Sequence, residues 1–250
     1  MNVLLLTDFS NTSDNAMKYA IEFLQNSKVN FYLMNIHEFN FEKTKGKVLG
    51  EKVENTLQDL QSKIQELKVL SSNSQHRFKT MFSSENLINA VRRSLEEHKI
   101  ELIFIGTLSQ QDHSHPIFGD HAYELVRKIK CNIFAIPSGC EFKKPKTAAF
   151  PVDNSILPAN FESNILEQIE YFKSLKFTLL EINNHSAVKL SADDNLSVAF
   201  TSELFLEIQQ QYDFIFIIGK NLSLCDRLLH SEYGLSAKMP VYIPIYVYHG

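Results

Sequence analysis

Gly106 ends the apolar run ELIFIG, and Gly119 stands thirteen residues later at the start of a helical pattern, with a polar loop between them. Glycines so placed suit a loop that cradles phosphate. Without a Cβ the backbone approaches an anion closely, and free N–H groups with the helix macrodipole attract its charge. The same stretch carries Asp112, His113, His115, Asp120 and His121, donors of the kind that ligate metals. A His-x-His pair in a polar surface loop is ordinarily solvated, and no metal is expected here. Hydrolysis would need a nucleophile with a base and an orienter. Ser10 beside Asp8, with a histidine elsewhere, could supply one, but such combinations arise by chance, and no catalytic residue is assigned.

Composition narrows the field. Hydrophobic residues make up 44% and charged residues 22% of the 250, as in a soluble globular protein. A net charge of -4 gives no reason to expect nucleic acid. No apolar run approaches the roughly 20 residues of a membrane span. The start, MNVLLLTDFS, reads as a buried strand rather than a secretion signal. Cys131, Cys140 and Cys225 are odd in number and lack CxxC spacing. Neither a disulfide framework nor a zinc site is expected, and a cytoplasmic location fits. Ser71–Ser72 and Ser83–Ser84 read as turn residues.

The elements that must position the loop alternate between strand and helix. NVLLLTD is a buried parallel strand. The segment after it carries Ala16, Tyr19, Ala20, Phe23 and Leu24 at helical spacing, with Ser10, Asn11 and Thr12 as N-cap candidates. VNFYLMNIHEF is the second strand. From about Lys47 to Leu70, Val53, Leu57, Leu60, Ile64 and Leu67 form a seam. So short a seam fits a helix packed on a sheet better than a coiled coil. RFKTMFSS, ENLINAVRRSLEEH, ELIFIGT, a helix from about Gly119 and NIFAIP complete a five-strand unit with a parallel sheet and right-handed crossovers.

After the charged linker EFKKPK at 141–146 the order restarts. TAAFPVDNS places Asp153 opposite Asp8, and YDFIFIIGK places Gly219 opposite Gly106. NLSVAFTS stands opposite RFKTMFSS, and VYIPIYV opposite NIFAIPS. Two tandem domains follow, 1–140 and 146–250. The second copy is 32 residues shorter between its aspartate and its glycine, and it lacks the long second helix.

The order TDFS, NA, YA, then N-I-H at a strand end, then I-G-T, F-G and a strand ending I-P resembles the universal stress protein family in a tandem form. The resemblance covers residues 1–139 and, more faintly, 147–247. It implies an α/β fold of two doubly wound five-strand parallel sheets, each of order 3-2-1-4-5, of the adenine-nucleotide alpha-hydrolase-like kind. Ligands of such sheets bind where the strand order reverses, at the carboxyl ends of strands 1 and 4.

In ATP-binding members the carboxylate after strand 1 meets adenine and ribose, which implies Asp8, and backbone after strand 2 touches the base, which implies Ile36. Phosphates lie in a G-x2-G-x9-G-[S/T] loop. Gly106 and Gly119 match its ends, but Ser109 replaces the middle glycine and Asp120 the final hydroxyl residue. A carboxylate about 5 Å from a phosphate repels it by roughly 3 kcal/mol at an effective dielectric near 20. That is about a hundredfold in affinity unless a divalent cation bridges the two. The second copy keeps Gly219, with Leu222 and Glu232 at the other two glycine positions.

No cofactor is therefore expected, with ATP or AMP at the first crevice, and slow ATP hydrolysis, as the alternative. The expected role is non-enzymatic stress-linked binding or regulation through an unidentified protein partner. The family pairs fifth strands between subunits, which implies internal pairing of the two domains here, with a further homodimer open. Pro137 and Pro244 suit the edge strands this requires.

Overall fold

The computed structural model describes residues 1–37, 46–107, 120–152, 172, 174–183, 186–191, 194–198, 202–220 and 241–249. These form two compact units, one of Met1–Thr107 with Lys128–Phe142, the other of Leu108–Arg127 with Lys143–His249.

The first unit is built as its periodicity requires. Strands β1 (Asn2–Thr7), β2 (Asn30–Ile36), β3 (Arg77–Ser83), β4 (Leu102–Thr107) and β5 (Asn132–Pro137) run parallel in the order β3-β2-β1-β4-β5. Between them lie α1 (Asn11–Phe23), α2 (Gly46–Leu70) and α3 (Leu87–His98); α4 (Asp120–Lys128) precedes β5 in the chain, but all of it except Lys128 falls in the other unit. Ser10 caps α1, its hydroxyl accepting from the Ser13 N–H, and Asn86 caps α3 in the same way.

Helix α1 lies over β4 and β5, and α2 over β2 and β3. Under α1, Tyr19, Phe23, Phe104, Phe134 and Phe142 interlock, with Phe104 and Phe134 stacked at 5.3 Å and Phe23 edge-on to Phe134 at 5.1 Å. Each such ring, once buried, contributes roughly 1.5–3 kcal/mol. The α2 seam packs on the sheet only through Leu60, Ile64 and Leu67, while Val53 is half-buried and Leu57 exposed.

Two polar ties close this unit. The Asn15 amide donates to the carbonyls of Pro137 and Cys140, joining α1 to the turn after β5, where Gly139 takes φ 76°. Buried His76 joins three elements: its Nδ1 meets the Ser71 hydroxyl at 2.7 Å beyond α2, its Nε2 meets the Leu24 carbonyl at 3.2 Å beyond α1, and β3 starts next to it.

The second unit departs from the expected copy. Strands β6 (Thr147–Val152), β7 (Lys176–Asn183), β10 (Phe214–Ile218) and β11 (Ile245–Tyr248) are parallel, in the order β11-β10-β6-β7. Beyond β7 come β8 (Ser186–Ser191) and β9 (Asp194–Val198), each antiparallel to the strand before it. The segment NLSVAFTS was expected as a parallel third strand beside the second. Instead β8 intervenes, so the described residues of this unit give six strands in a mixed arrangement.

The cause is chain length. A parallel return needs a crossover of a dozen or more residues, whereas two residues suffice for an antiparallel one. Only residues 184–185 separate β7 from β8. Helix α5 (Ser202–Gln211) then leads to β10, whose start is anchored by Asp213 accepting from the N–H groups of Lys146 and Thr147 and from the Thr147 hydroxyl. Phe150, Phe172, Phe214, Phe216 and Tyr246 are fully buried and form the core of this unit. The expected first helix of the second copy and most of its Gly219 loop lie outside the described residues.

Candidate functional site

In the first unit the strand order reverses between β1 and β4, so their carboxyl ends define a switch point where ligands of open α/β sheets bind. The chain leaves β1 through a strained corner. Phe9 has φ 63°, in the left-handed region that a bulky residue seldom enters. The corner is held from both sides: the Phe9 N–H donates to Thr7 Oγ1 at 3.0 Å and the Ser10 N–H to Asp8 Oδ1 at 3.0 Å. Thr7 Oγ1 also meets Ser13 Oγ at 3.2 Å, and the Asn35 amide of β2 donates to the Thr7 carbonyl at 2.9 Å. Adjacent strand ends are thereby locked together.

Asp8 stands exposed at this corner. Partial burial pushes its carboxyl up, but hydrogen bonds from the Ser10 hydroxyl and N–H and from Ser13 outweigh that and hold it below the usual carboxylate range. It is an ionised acceptor at neutral pH, suited to hydroxyl or amine groups of a ligand. Ile36 ends β2 half-buried, and the N–H of the next residue, His37, is bonded to the Ser83 carbonyl of β3.

Gly106 has a different neighbour from the one its motif suggests. A Cβ there would lie 2.6 Å from the Thr12 carbonyl oxygen and 2.8 Å from Thr12 Cγ2, in the first turn of α1. The missing side chain lets helix and strand approach. Next to it, Thr107 is 1% exposed, and its Oγ1 has no hydrogen-bond partner among the described residues. Ser109 and Gly119 lie outside those residues, as do Asp112, His113 and His115. Asp120 is the first residue of α4, a place where a carboxylate complements the helix dipole.

The equivalent glycine of the second unit is also crowded. A Cβ on Gly219 would collide with the His249 imidazole, and the Gly219 N–H donates to the Tyr248 carbonyl at 2.7 Å. Burial, and then the Lys220 ammonium, hold the His249 ring below its usual pKa. Ser13, Asn35, Phe9 and Thr107 were not singled out from the sequence. Their part depends on hydrogen bonds and backbone angles that residue type alone does not announce.

The fold defines a class: a doubly wound α/β protein whose strand order reverses between β1 and β4. The universal stress protein family profile matches residues 1–137, and the chain belongs to that family. A universal stress protein from Archaeoglobus fulgidus aligns over 100% of this chain and 98% of its own, at 11% identity and a TM-score of 0.67. One assigned to the same family from Pseudomonas aeruginosa covers 99% of this chain and 92% of its own, at 11% identity and a TM-score of 0.53. A universal stress protein solved in complex with cAMP matches 56% of this chain and 98% of its own, at 14% identity and a TM-score of 0.42. No curated protein matches. Among the described residues no helix is long and apolar enough to cross a membrane, and no cluster of metal ligands occurs.

Proposed function

We propose that this chain is a cytoplasmic, non-enzymatic binding protein of the universal stress type, regulating through protein contacts, with domains at 1–140 and 146–250 and a weakened nucleotide site. The observation that carries this is the packing of Gly106 on Thr12. The best-kept residue of the phosphate pattern is required by the fold, so its presence does not argue for a ligand. Of the other pattern positions Gly119 is kept, while Ser109 and Asp120 depart from the pattern, the second with a charge that repels phosphate. Internal pairing of the two domains through their fifth strands is part of the same proposal. It is supported by Pro137 at the end of β5 and Pro244 just before β11, placements suited to edges.

A second reading has its own support. The unpartnered buried hydroxyl of Thr107 and the strained Phe9 corner are features a ligand would explain. On that reading Asp8, Ile36, Gly106, Ser109, Gly119 and Asp120 hold ATP or AMP, with a divalent cation offsetting Asp120.

The Asp120→Ser variant separates the two. If charge closed the site, it gains roughly a hundredfold in ATP affinity over the parent chain. An unchanged affinity would show that Asp120 does not set it.

A further inference from the structure

Among the described residues β3 ends the first unit's sheet and pairs on one side only, with β2. Its register is unbroken from Arg77 to Ser83, without proline or bulge. The Arg77 N–H donates to the Val29 carbonyl, and the Ser83 carbonyl accepts from His37. Residues alternate direction along a strand, so the odd-numbered positions face β2. Phe78 and Thr80 therefore direct their N–H and C=O groups to the open side.

Beside this edge, β3 and α2 enclose a groove of about 490 Å³ lined by Ile64, Gln65 and Lys68 of α2 and by Phe78, Lys79 and Thr80 of β3. No carboxylate lines it. Lys68 is exposed at its rim. On the opposite sheet face Arg77 and Lys79 are exposed, with the Lys79 ammonium 5.3 Å from the Tyr32 ring centroid. Edge strands are commonly guarded by charge. Here the charged side chains described at the edge, Lys68, Arg77 and Lys79, are all basic within a chain of net charge -4, so they repel basic strands and admit acidic ones.

We propose that β3 docks an extended acidic peptide of a partner protein as an added strand. Its main chain bonds Phe78 and Thr80. One alternate set of side chains is apolar and enters the groove over Ile64 and Phe78, and the other carries carboxylates to Arg77 and Lys79. This rests on the binding-protein reading above and names its surface and partner class.

The test uses the full chain and a fluorescein-labelled ten-residue peptide of alternating valine and glutamate, read by anisotropy. A lysine-for-glutamate peptide serves as control. The glutamate peptide binds roughly tenfold or more tighter, and added salt weakens it. Thr80→Pro removes an outward donor but no ladder bond, a change that edge strands tolerate, and it abolishes binding while the circular dichroism spectrum is kept. Thr80→Val retains binding.

Equal binding of the two peptides, no binding at all, or binding untouched by Thr80→Pro overturns the proposal. So does sedimentation showing that the chain alone self-associates through an edge that Thr80→Pro disrupts. ATP titrated into the same samples keeps the readings apart. Peptide failure without ATP binding removes the docking site alone, and ATP binding beside peptide binding removes only the weakened-site reading.

Discussion

The carbonyl oxygen of Thr12 lies 2.6 Å from where a Cβ on Gly106 would stand. A contact this short with backbone leaves an added methyl nowhere to go, so α1 must shift on β4. Overpacking of this kind costs about 1–3 kcal/mol. Gly106→Ala should lower the melting temperature by several degrees without any nucleotide present, and Gly106→Val by more. Calorimetric melting checks this, and unchanged melting would restore a purely ligand-directed role for the glycine.

Asn15, one turn further along the same helix, ties it to the turn after β5. Asn15→Ala removes donors to the Pro137 and Cys140 carbonyls, at 3.2 and 3.1 Å, and should destabilise the chain by about 1–2 kcal/mol. Asn15→Asp should cost more, because a carboxylate then faces two carbonyl oxygens. Urea midpoints of the three proteins give the order directly.

His76 sets a pH dependence. Burial holds its pKa below the ordinary 6.5, although the Leu24 and Ser27 carbonyls partly oppose this. The unfolded chain therefore takes up the proton first as pH falls. The stabilisation is complete above about pH 6.5 and is lost between there and the lower folded pKa. Urea unfolding at pH 7 and pH 5 should show the parent weakening toward acid, with a smaller loss in His76→Gln. Equal pH slopes would contradict the assignment.

The first unit was legible because β1, β2, β4 and β5 are largely apolar, β3 (RFKTMFS) alternates as an edge strand does, and each helix has an apolar stripe. Leu4, Phe31, Phe104 and Phe134 announce the sheet, and Ala16, Tyr19 and Ala20 the helix above it. β8 was missed because matching repeats assumes that each copy keeps its strand directions. The short connector after Asn183 already ruled out a parallel return, so the antiparallel hairpin follows from loop length rather than from residue type. Asp8 could be placed at the crevice from its position after the first apolar run. The meaning of Gly106 could not be, because a glycine that admits a phosphate and one that admits a helix read alike. Thr107 was hidden for a related reason: its burial and its lack of a partner arise from packing among elements distant in the chain.

The most direct test is calorimetric titration of the purified chain with ATP and Mg²⁺, beside Asp8→Ala, which spares the Gly106 contact. The weakened-site account predicts no binding tighter than about 100 μM in either protein. Binding tighter than that in the parent, abolished in Asp8→Ala, would contradict it.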